Sequence, residues 1–177
     1  MATVEIIAQS FGIIGLIISA ISFQEKNNKR FFIEQGLSSF VFVLNFLLIG
    51  AVSGALFNIV NAIRGALFSK KEKKFWQLLM IGGMYMGCFI FSLFMIMGNP
   101  FQIFLSTLVF IPLMIMTVLM WKGNGKHIRI FQLFVLSPAW IYHNIFNFSL
   151  GGILCEVFAM ISVVVSFIRF GKDGFEV

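Results

Sequence analysis

The chain consists of long apolar runs separated by short polar stretches. Seven of these runs are long enough to cross a bilayer, which takes about 20 mostly apolar residues in a helix. Helices are favoured over strands because a helix satisfies its own backbone hydrogen bonds in lipid. The predicted spans are Ile6 to Phe23, Phe32 to Gly50, Ala51 to Ser69, Trp76 to Met97, Phe101 to Trp121, Ile128 to Phe148 and Ser149 to Phe170. We therefore predict an all-α integral membrane protein with seven transmembrane helices.

The composition agrees with this interpretation and excludes an ordinary soluble domain. Of the 177 residues, 59% are hydrophobic and 11% are charged, with 24 Phe and 10 Met. Soluble domains are about half apolar and about one quarter charged, and one small core could not bury the excess. The lipid bilayer is therefore the first expected partner.

Basic residues follow every second predicted helix. Twelve of the 13 Lys and Arg residues lie after spans 1, 3, 5 and 7, whereas the connections after spans 2, 4 and 6 contain none. They are Lys26, Lys29, Arg30, Lys70, Lys71, Lys73, Lys74, Lys122, Lys126, Arg129, Arg169 and Lys172. Because positive loops stay in the cytoplasm, we predict an outside N-terminus and a cytoplasmic C-terminus.

This topology also accounts for the net positive charge. The basic connections lack interleaved stacking aromatics, so no nucleic-acid partner is expected. The first ten residues contain neither Lys nor Arg, so we expect the first span to be retained rather than cleaved as a secretory signal.

The spans divide into two similar groups of three around a single helix. Residues 1–75 form the predicted first repeat, 76–98 the linker helix, and 99–177 the second repeat with a short cytoplasmic tail. With one intervening helix, two three-helix units are parallel repeats about an axis along the membrane normal. A shift of 98 residues aligns Phe23 with Trp121, Ser39 with Ser137, Phe42 with Trp140, Asn45 with His143, Gly54 with Gly152, and Asn58 with Glu156.

The 3+1+3 plan and the predicted topology resemble the SWEET sugar transporters and the wider PQ-loop superfamily. SWEET proteins place an Asn on the third helix of each repeat at the sugar site, and these positions are Asn58 and Glu156 here. The PQ pair corresponds to Phe23-Gln24. Helix prolines similar to SWEET hinges occur as Pro112 and Pro138, in the second repeat only.

Local motifs are more similar to those of the YgjV family of uncharacterised bacterial inner-membrane proteins. The motifs are Gln9-Ser-Phe-Gly12, Asn61-Ala-Ile-Arg64 and Trp140-Ile-Tyr142, followed by Gly151-Gly152 and Glu156. This resemblance implies a multi-pass protein of the bacterial inner membrane, but it implies no particular activity. SWEET-like folds can assemble, so a homo-oligomer stays open, although no interface is marked in the sequence.

The polar residues inside predicted spans are the candidate solute-binding residues. Asn58 and Asn61 lie on one face of the third span with Gly54 and Gly65, where they can contact a solute or form an interhelical hydrogen bond. Glu156 is the one acid well inside a span. An ionised carboxyl is expensive there, so it should be protonated, paired or in contact with a water-filled cavity.

The remaining candidates are less specific. We expect His143 to pair with Glu156, because both lie in the outer half of adjacent spans. Trp140 and Asn45 could add an aromatic and amide surface that binds a sugar-like ring. Arg64 is interpreted as an anchor at the membrane surface or as an anion contact.

Two classes of function remain open. One is a transporter or facilitator of a small polar, uncharged solute, working by alternating access. The other is a receptor or accessory subunit on the same scaffold. The sequence contains no catalytic or nucleotide-binding motif, so an enzyme is not expected. Cys88 and Cys155 are isolated within spans and match no metal spacing, so we expect neither a metal nor a cofactor.

Overall fold

The computed structural model describes residues 2–22, 28–70, 72–123 and 125–170, and these residues form helices joined by short connections. The helices are α1 (Ala2–Ser22), α2 (Asn28–Leu48), α3 (Val52–Phe68), α4 (Phe75–Met95), α5 (Pro100–Lys122), α6 and α7 (Leu150–Phe170). The sixth, α6, consists of Gly125–Phe131, a π-helical turn Gln132–Leu136, and Ser137–Phe146. Among the residues named above, Phe23, Gln24, Lys26, Lys71 and Lys172 lie outside the described ranges.

The architecture confirms the predicted all-α class, and each helix overlaps one predicted span. In the described part of the chain, α1, α2, α4 and α5 are long and apolar enough to cross a membrane. Apolar but shorter helices are α3 and the stretch Leu150–Val165 of α7, while α6 is interrupted by its π turn. That all seven helices cross the membrane thus stays a prediction.

Six of the helices form a closed ring. In order around the ring, α1 contacts α2, α2 contacts α3, α3 contacts α5, α5 contacts α6, α6 contacts α7, and α7 returns to α1. The remaining helix, α4, packs against α3 and α5. Large apolar side chains such as Ile6, Phe40, Phe94 and Ile161 are exposed, as expected for helices that face lipid.

Two ring contacts depend on glycine because the helix backbones nearly touch. A Cβ atom placed on Gly151 of α7 would lie 2.3 Å from the carbonyl carbon of Gly12 in α1. A Cβ atom on Gly65 of α3 would lie 2.6 Å from the carbonyl oxygen of Phe32 in α2. Small residues permit this kind of close approach between membrane helices. The α7 to α1 contact that closes the ring therefore has no room for a side chain at position 151.

The C-terminal ends of α1, α3 and α5 lie at one end of the ring, the basic end. There Lys73 donates a hydrogen bond from Nζ to the Met120 carbonyl at 2.8 Å, and it lies 5.5 Å from the centroid of the Phe32 ring. Burial lowers the pKa of Lys73 from its ordinary value of 10.5. One side chain thus joins the α3–α4 connection to α5 and α2.

At the opposite end, α1 is joined to the turn between α6 and α7. Gln9 donates from Nε2 to the Phe148 carbonyl at 2.7 Å, and its Oε1 accepts from the Leu150 backbone N–H at 3.1 Å. A glutamine thus satisfies both a turn carbonyl and an orphan amide at the start of α7. This contact joins α1 to the start of α7, although the two helices are far apart in the sequence.

We predict that Gly151→Ala destabilises the protein by about 1–3 kcal/mol, the usual cost of overpacking a tight contact. The matched control is Gly83→Ala in α4, where an added Cβ has no heavy atom within 4 Å. Thermal unfolding in detergent should show a lower midpoint for Gly151→Ala and an unchanged or higher one for Gly83→Ala. Equal midpoints for the two variants would contradict the close α1–α7 contact.

Candidate functional site

The helix ring surrounds a cavity of about 230 Å³ that both polar and apolar side chains line. Its lining residues come from all six ring helices and from the two connections α3–α4 and α5–α6. The cavity extends from Asn144 and Gly152 to Phe31, Lys73 and Arg129 at the basic end. A cavity with converging amides, hydroxyls, charges and aromatic rings is the usual form of a small-molecule site.

Five of the predicted site residues line this cavity: Asn58, Asn61, Arg64, Trp140 and Glu156. Asn58 is the seventh residue of α3, and Glu156 is the seventh residue of α7. The two positions that the 98-residue shift aligns are therefore at equal depth in their helices. The other two predicted residues, Asn45 and His143, do not line the cavity.

The amides on α3 already have protein partners. Asn58 donates from Nδ2 to the Gly54 carbonyl, one turn earlier, at 2.9 Å. Asn61 accepts a hydrogen bond at Oδ1 from the Tyr85 hydroxyl of α4. Tyr85 is fully buried, so its hydroxyl needs this partner. Asn61 therefore forms an interhelical hydrogen bond and also lines the cavity.

Arg64 faces the interior of the bundle instead of reaching the membrane surface. It is 8% exposed, and its Nη1 donates to the Thr117 hydroxyl of α5 at 3.0 Å. Its guanidinium carbon lies 5.7 Å from the centroid of the Tyr85 ring. Its Nε is buried and has no hydrogen-bond partner. The interpretation of Arg64 as a surface anchor therefore does not fit this geometry.

Glu156 belongs to a three-residue hydrogen-bond cluster. Its Oε2 accepts from the Ser137 hydroxyl at 2.6 Å and from Gln132 Nε2 at 3.3 Å. Gln132 Nε2 also donates to Ser137 Oγ at 2.8 Å. Two donors directed at one carboxyl oxygen can stabilise either a carboxylate or a carboxyl group that keeps its proton on the other oxygen.

The expected pair between His143 and Glu156 does not form. Glu156 instead meets Ser137, which precedes His143 by six residues, or about 9 Å along a helix axis. The similar depth of His143 and Glu156, counted in residues along their helices, therefore did not predict a contact between their side chains. His143 lies 3.4 Å by Nε2 from the Ser53 hydroxyl of α3 and 3.5 Å by Nδ1 from Asn144 Oδ1.

Trp140 and Phe46 form an aromatic wall at the closed end of the cavity. Their rings are stacked with centroids 5.8 Å apart, and the Trp140 ring is edge-on to His143 at 5.3 Å. Phe42, one turn from Phe46, also lines the cavity. These rings give the cavity an apolar surface, and the Asn58 amide lines the same cavity.

Beyond this wall, buried polar residues join neighbouring parts of the ring at two places. Asn45 of α2 donates from Nδ2 to the Ala8 carbonyl of α1 at 2.8 Å, and its Oδ1 accepts from the Ser149 hydroxyl at 2.7 Å. His143 contacts Ser53 on the other side of the ring. Asn45, His143 and Ser149 are each 0% exposed. We call Asn45, Ser53, His143 and Ser149 the polar layer.

Pro138 is the second residue after the π-helical turn of α6, whereas Pro112 lies inside the uninterrupted α5. Proline lacks a backbone donor and disturbs the preceding turn, which accounts for the local π geometry. Both prolines line a shallow apolar groove between α5 and α6, with Phe134 and Tyr142. Their role as hinges stays a prediction.

A family model of bacterial inner membrane proteins, Imp-YgjV, matches residues 6–174. The chain belongs to this family. The match confirms the resemblance noted in the local motifs and supports a bacterial inner-membrane protein. No curated protein and no solved structure matches the chain.

In this Imp-YgjV protein, helix periodicity did not predict the hydrogen-bond partners of the site residues. These partners are Gln132 and Ser137 for Glu156, Tyr85 for Asn61, and Thr117 for Arg64. Gln132 and Ser137 are five positions apart, which places them on different faces of an α-helix but close together across a π turn. Pro138 is the one signal that could have indicated this turn. Tyr85 and Thr117 lie on α4 and α5, which carried no candidate ligands. Within the described residues, no group of three or more His, Cys, Asp or Glu could hold a metal ion.

We predict that the cavity is filled with water and can be reached by a small thiol reagent. Ser39 lines the cavity, whereas its neighbour Phe40 is 58% exposed on the outer surface of the ring. In a background with Cys88→Ala and Cys155→Ala, a charged methanethiosulfonate should modify Ser39→Cys but not Phe40→Cys, because thiolates do not form in lipid. Equal modification of both positions in membranes would contradict the assignment of the two faces.

Proposed function

We propose that this protein is a transporter or facilitator that moves a small polar solute through the cavity by alternating access. One observation carries the proposal: a cavity with polar and apolar walls runs inside the bundle to the basic end, and the residues of the polar layer do not line it. A cavity that is closed at one end and reaches the other is the form expected of one state of an alternating-access carrier. No group of residues in the cavity resembles a catalytic constellation, so we propose no enzymatic reaction.

The neighbour relations around the ring support the proposed two-repeat plan. The contacts α1–α2, α2–α3 and α3–α5 have the same order as α5–α6, α6–α7 and α7–α1. Advancing by one three-helix unit therefore maps the ring onto itself, with α4 left over as the linker. Two such units can rock about an axis along the membrane normal.

Contacts between aligned residues support the same plan. Gly54 in α3 packs against the Phe46 side chain, and Gly152 in α7 packs against Asn144, which is the position aligned with Phe46. Asn45 reaches the start of α7 through Ser149, and its aligned partner His143 reaches the start of α3 through Ser53. Each unit thus contributes two side chains to the polar layer, and both contact the other unit.

The polar layer is the part that must open in the proposed cycle. Its contacts between the units are hydrogen bonds, each worth about 0.5–1.5 kcal/mol net, and water can replace them when the layer opens. The positive-inside rule assigns the basic end to the cytoplasm, so the conformation described here faces inward in this proposal.

The first test is a screen of sugars, nucleosides, vitamins and amino acids for thermal stabilisation of the purified protein, followed by counterflow of each hit in proteoliposomes. We expect Asn58→Ala and Glu156→Gln to lower counterflow by about 10-fold or more, as loss of a hydrogen bond to solute predicts.

The control is Thr107→Ala in α5. Thr107 makes the same kind of bond as Asn58, to a carbonyl one turn earlier, but it does not line the cavity. Its counterflow should match that of the wild type. Binding without counterflow, or copurification with a protein partner and no solute effect, would replace the transporter by the receptor or accessory-subunit interpretation.

A further inference from the structure

Arg64 is a buried cation whose charge has no partner among the described side chains. The carboxyl groups in the described ranges are Glu5, Glu34, Glu72 and Glu156, and none of them forms an ion pair with Arg64. Its one hydrogen bond goes to a neutral hydroxyl, and its buried Nε has no partner. An uncompensated charge at this depth is costly, and intramembrane charges usually mark a ligand or ion pathway.

The surroundings of Arg64 hold the side chain in place without neutralising it. The Tyr85 ring lies beside the guanidinium at 5.7 Å, and the Thr117 hydroxyl binds Nη1. The Thr117 hydroxyl in turn donates to the Leu113 carbonyl at 2.7 Å, so its position is fixed by α5. Both groups are uncharged. They hold the planar guanidinium group of Arg64 in place, and most of its five N–H donors can still bind another acceptor.

The charges that line the cavity are mainly positive. Among the described residues, Arg64, Lys73 and Arg129 line it together with a single acid, Glu156, whose carboxyl already accepts from Ser137 and Gln132. Lys73 lies near the basic end, so an anion that enters there would meet a positive charge first. Arginine binds carboxylate and phosphate groups in a bidentate manner, and low polarity strengthens this interaction.

From this geometry we infer that Arg64 binds an oxyanion, a carboxylate or phosphate group of the solute, inside the cavity. The inference rests on the proposed solute site and changes its expected occupant from an uncharged to an anionic molecule. The remaining cavity wall, with Asn58 and the rings of Trp140 and Phe42, would then contact the uncharged part of the same molecule.

The experiment compares pairs of solutes that share a carbon skeleton and differ by one anionic group. The pairs are glucose with gluconate, glucose with glucose 6-phosphate, and glycerol with glycerol 3-phosphate. Thermal stabilisation of the purified protein is titrated with each compound at matched ionic strength. The variants are Arg64→Gln, Arg64→Lys and, as the control, Arg30→Gln, which removes one exposed positive charge from the basic end without touching the cavity wall.

We expect at least one anionic member to stabilise the wild type more than its uncharged counterpart does. Arg64→Gln should weaken the apparent affinity for that anion by about 10- to 100-fold, the range for a lost charge-assisted hydrogen bond. Arg64→Lys should retain part of the affinity, and Arg30→Gln should retain all of it. The melting midpoint of each variant without solute shows whether it is folded.

A second arm identifies the source of the oxyanion. The wild type and Arg64→Gln are placed in nanodiscs of phosphatidylcholine with or without phosphatidylglycerol. Stabilisation by phosphatidylglycerol that depends on Arg64 would assign the site to a lipid headgroup, whereas stabilisation by the soluble anions alone would assign it to a free solute.

The midpoint without solute gives a readout that needs no known ligand. Because Arg64 has no charge partner, Arg64→Gln should leave the empty protein as stable as the wild type or more stable. A lower midpoint for Arg64→Gln, together with equal binding of anionic and uncharged members, would overturn the inference. In that case a solute site of the proposed function would survive. If no compound and no lipid acts through Arg64, the inference is also wrong.

Discussion

A buried polar group in a lipid-embedded bundle must find its partner within the protein, and the rest of this structure depends on that constraint. The polar layer meets it: Asn45 is fixed by Ala8 and Ser149, and the His143 ring lies between Ser53 and Asn144. Leaving any of these groups unpaired in a dry environment costs about 1–3 kcal/mol. The layer therefore joins α2 to α1 and to the α6–α7 turn, and α3 to α6, at the end away from the basic connections.

The same constraint explains why the polar groups inside the cavity differ from those in the polar layer. There the polar groups have only some of their partners, as Arg64 shows with one neutral hydrogen bond and a bare Nε. Incomplete pairing is tolerable where water or a solute completes it. In the proposed transport cycle, the paired polar layer is the part that closes and the partly paired cavity is the part that binds solute.

The sequence predicted the helices and five of the residues that line the cavity, but not the hydrogen-bond partners of those residues. Helix periodicity placed Asn58 and Asn61 on one face of α3, and both line the cavity, whereas it left Arg64 as a surface anchor or an anion contact. It failed at Glu156, whose partners depend on a π turn that shifts Gln132 and Ser137 onto one face. It also missed Tyr85, because contacts between α4 and α3 are set by packing that a single chain pattern does not encode.

The measurement that tests the account most directly is the sidedness of access to the cavity. Membrane vesicles of both orientations carrying Ser39→Cys, without the native cysteines, are treated with a membrane-impermeant thiol reagent. In the absence of solute, we expect Ser39→Cys to be modified only from the side of the basic connections, because the polar layer closes the cavity on the opposite side. Modification from the opposite side, or equally from both, would contradict it.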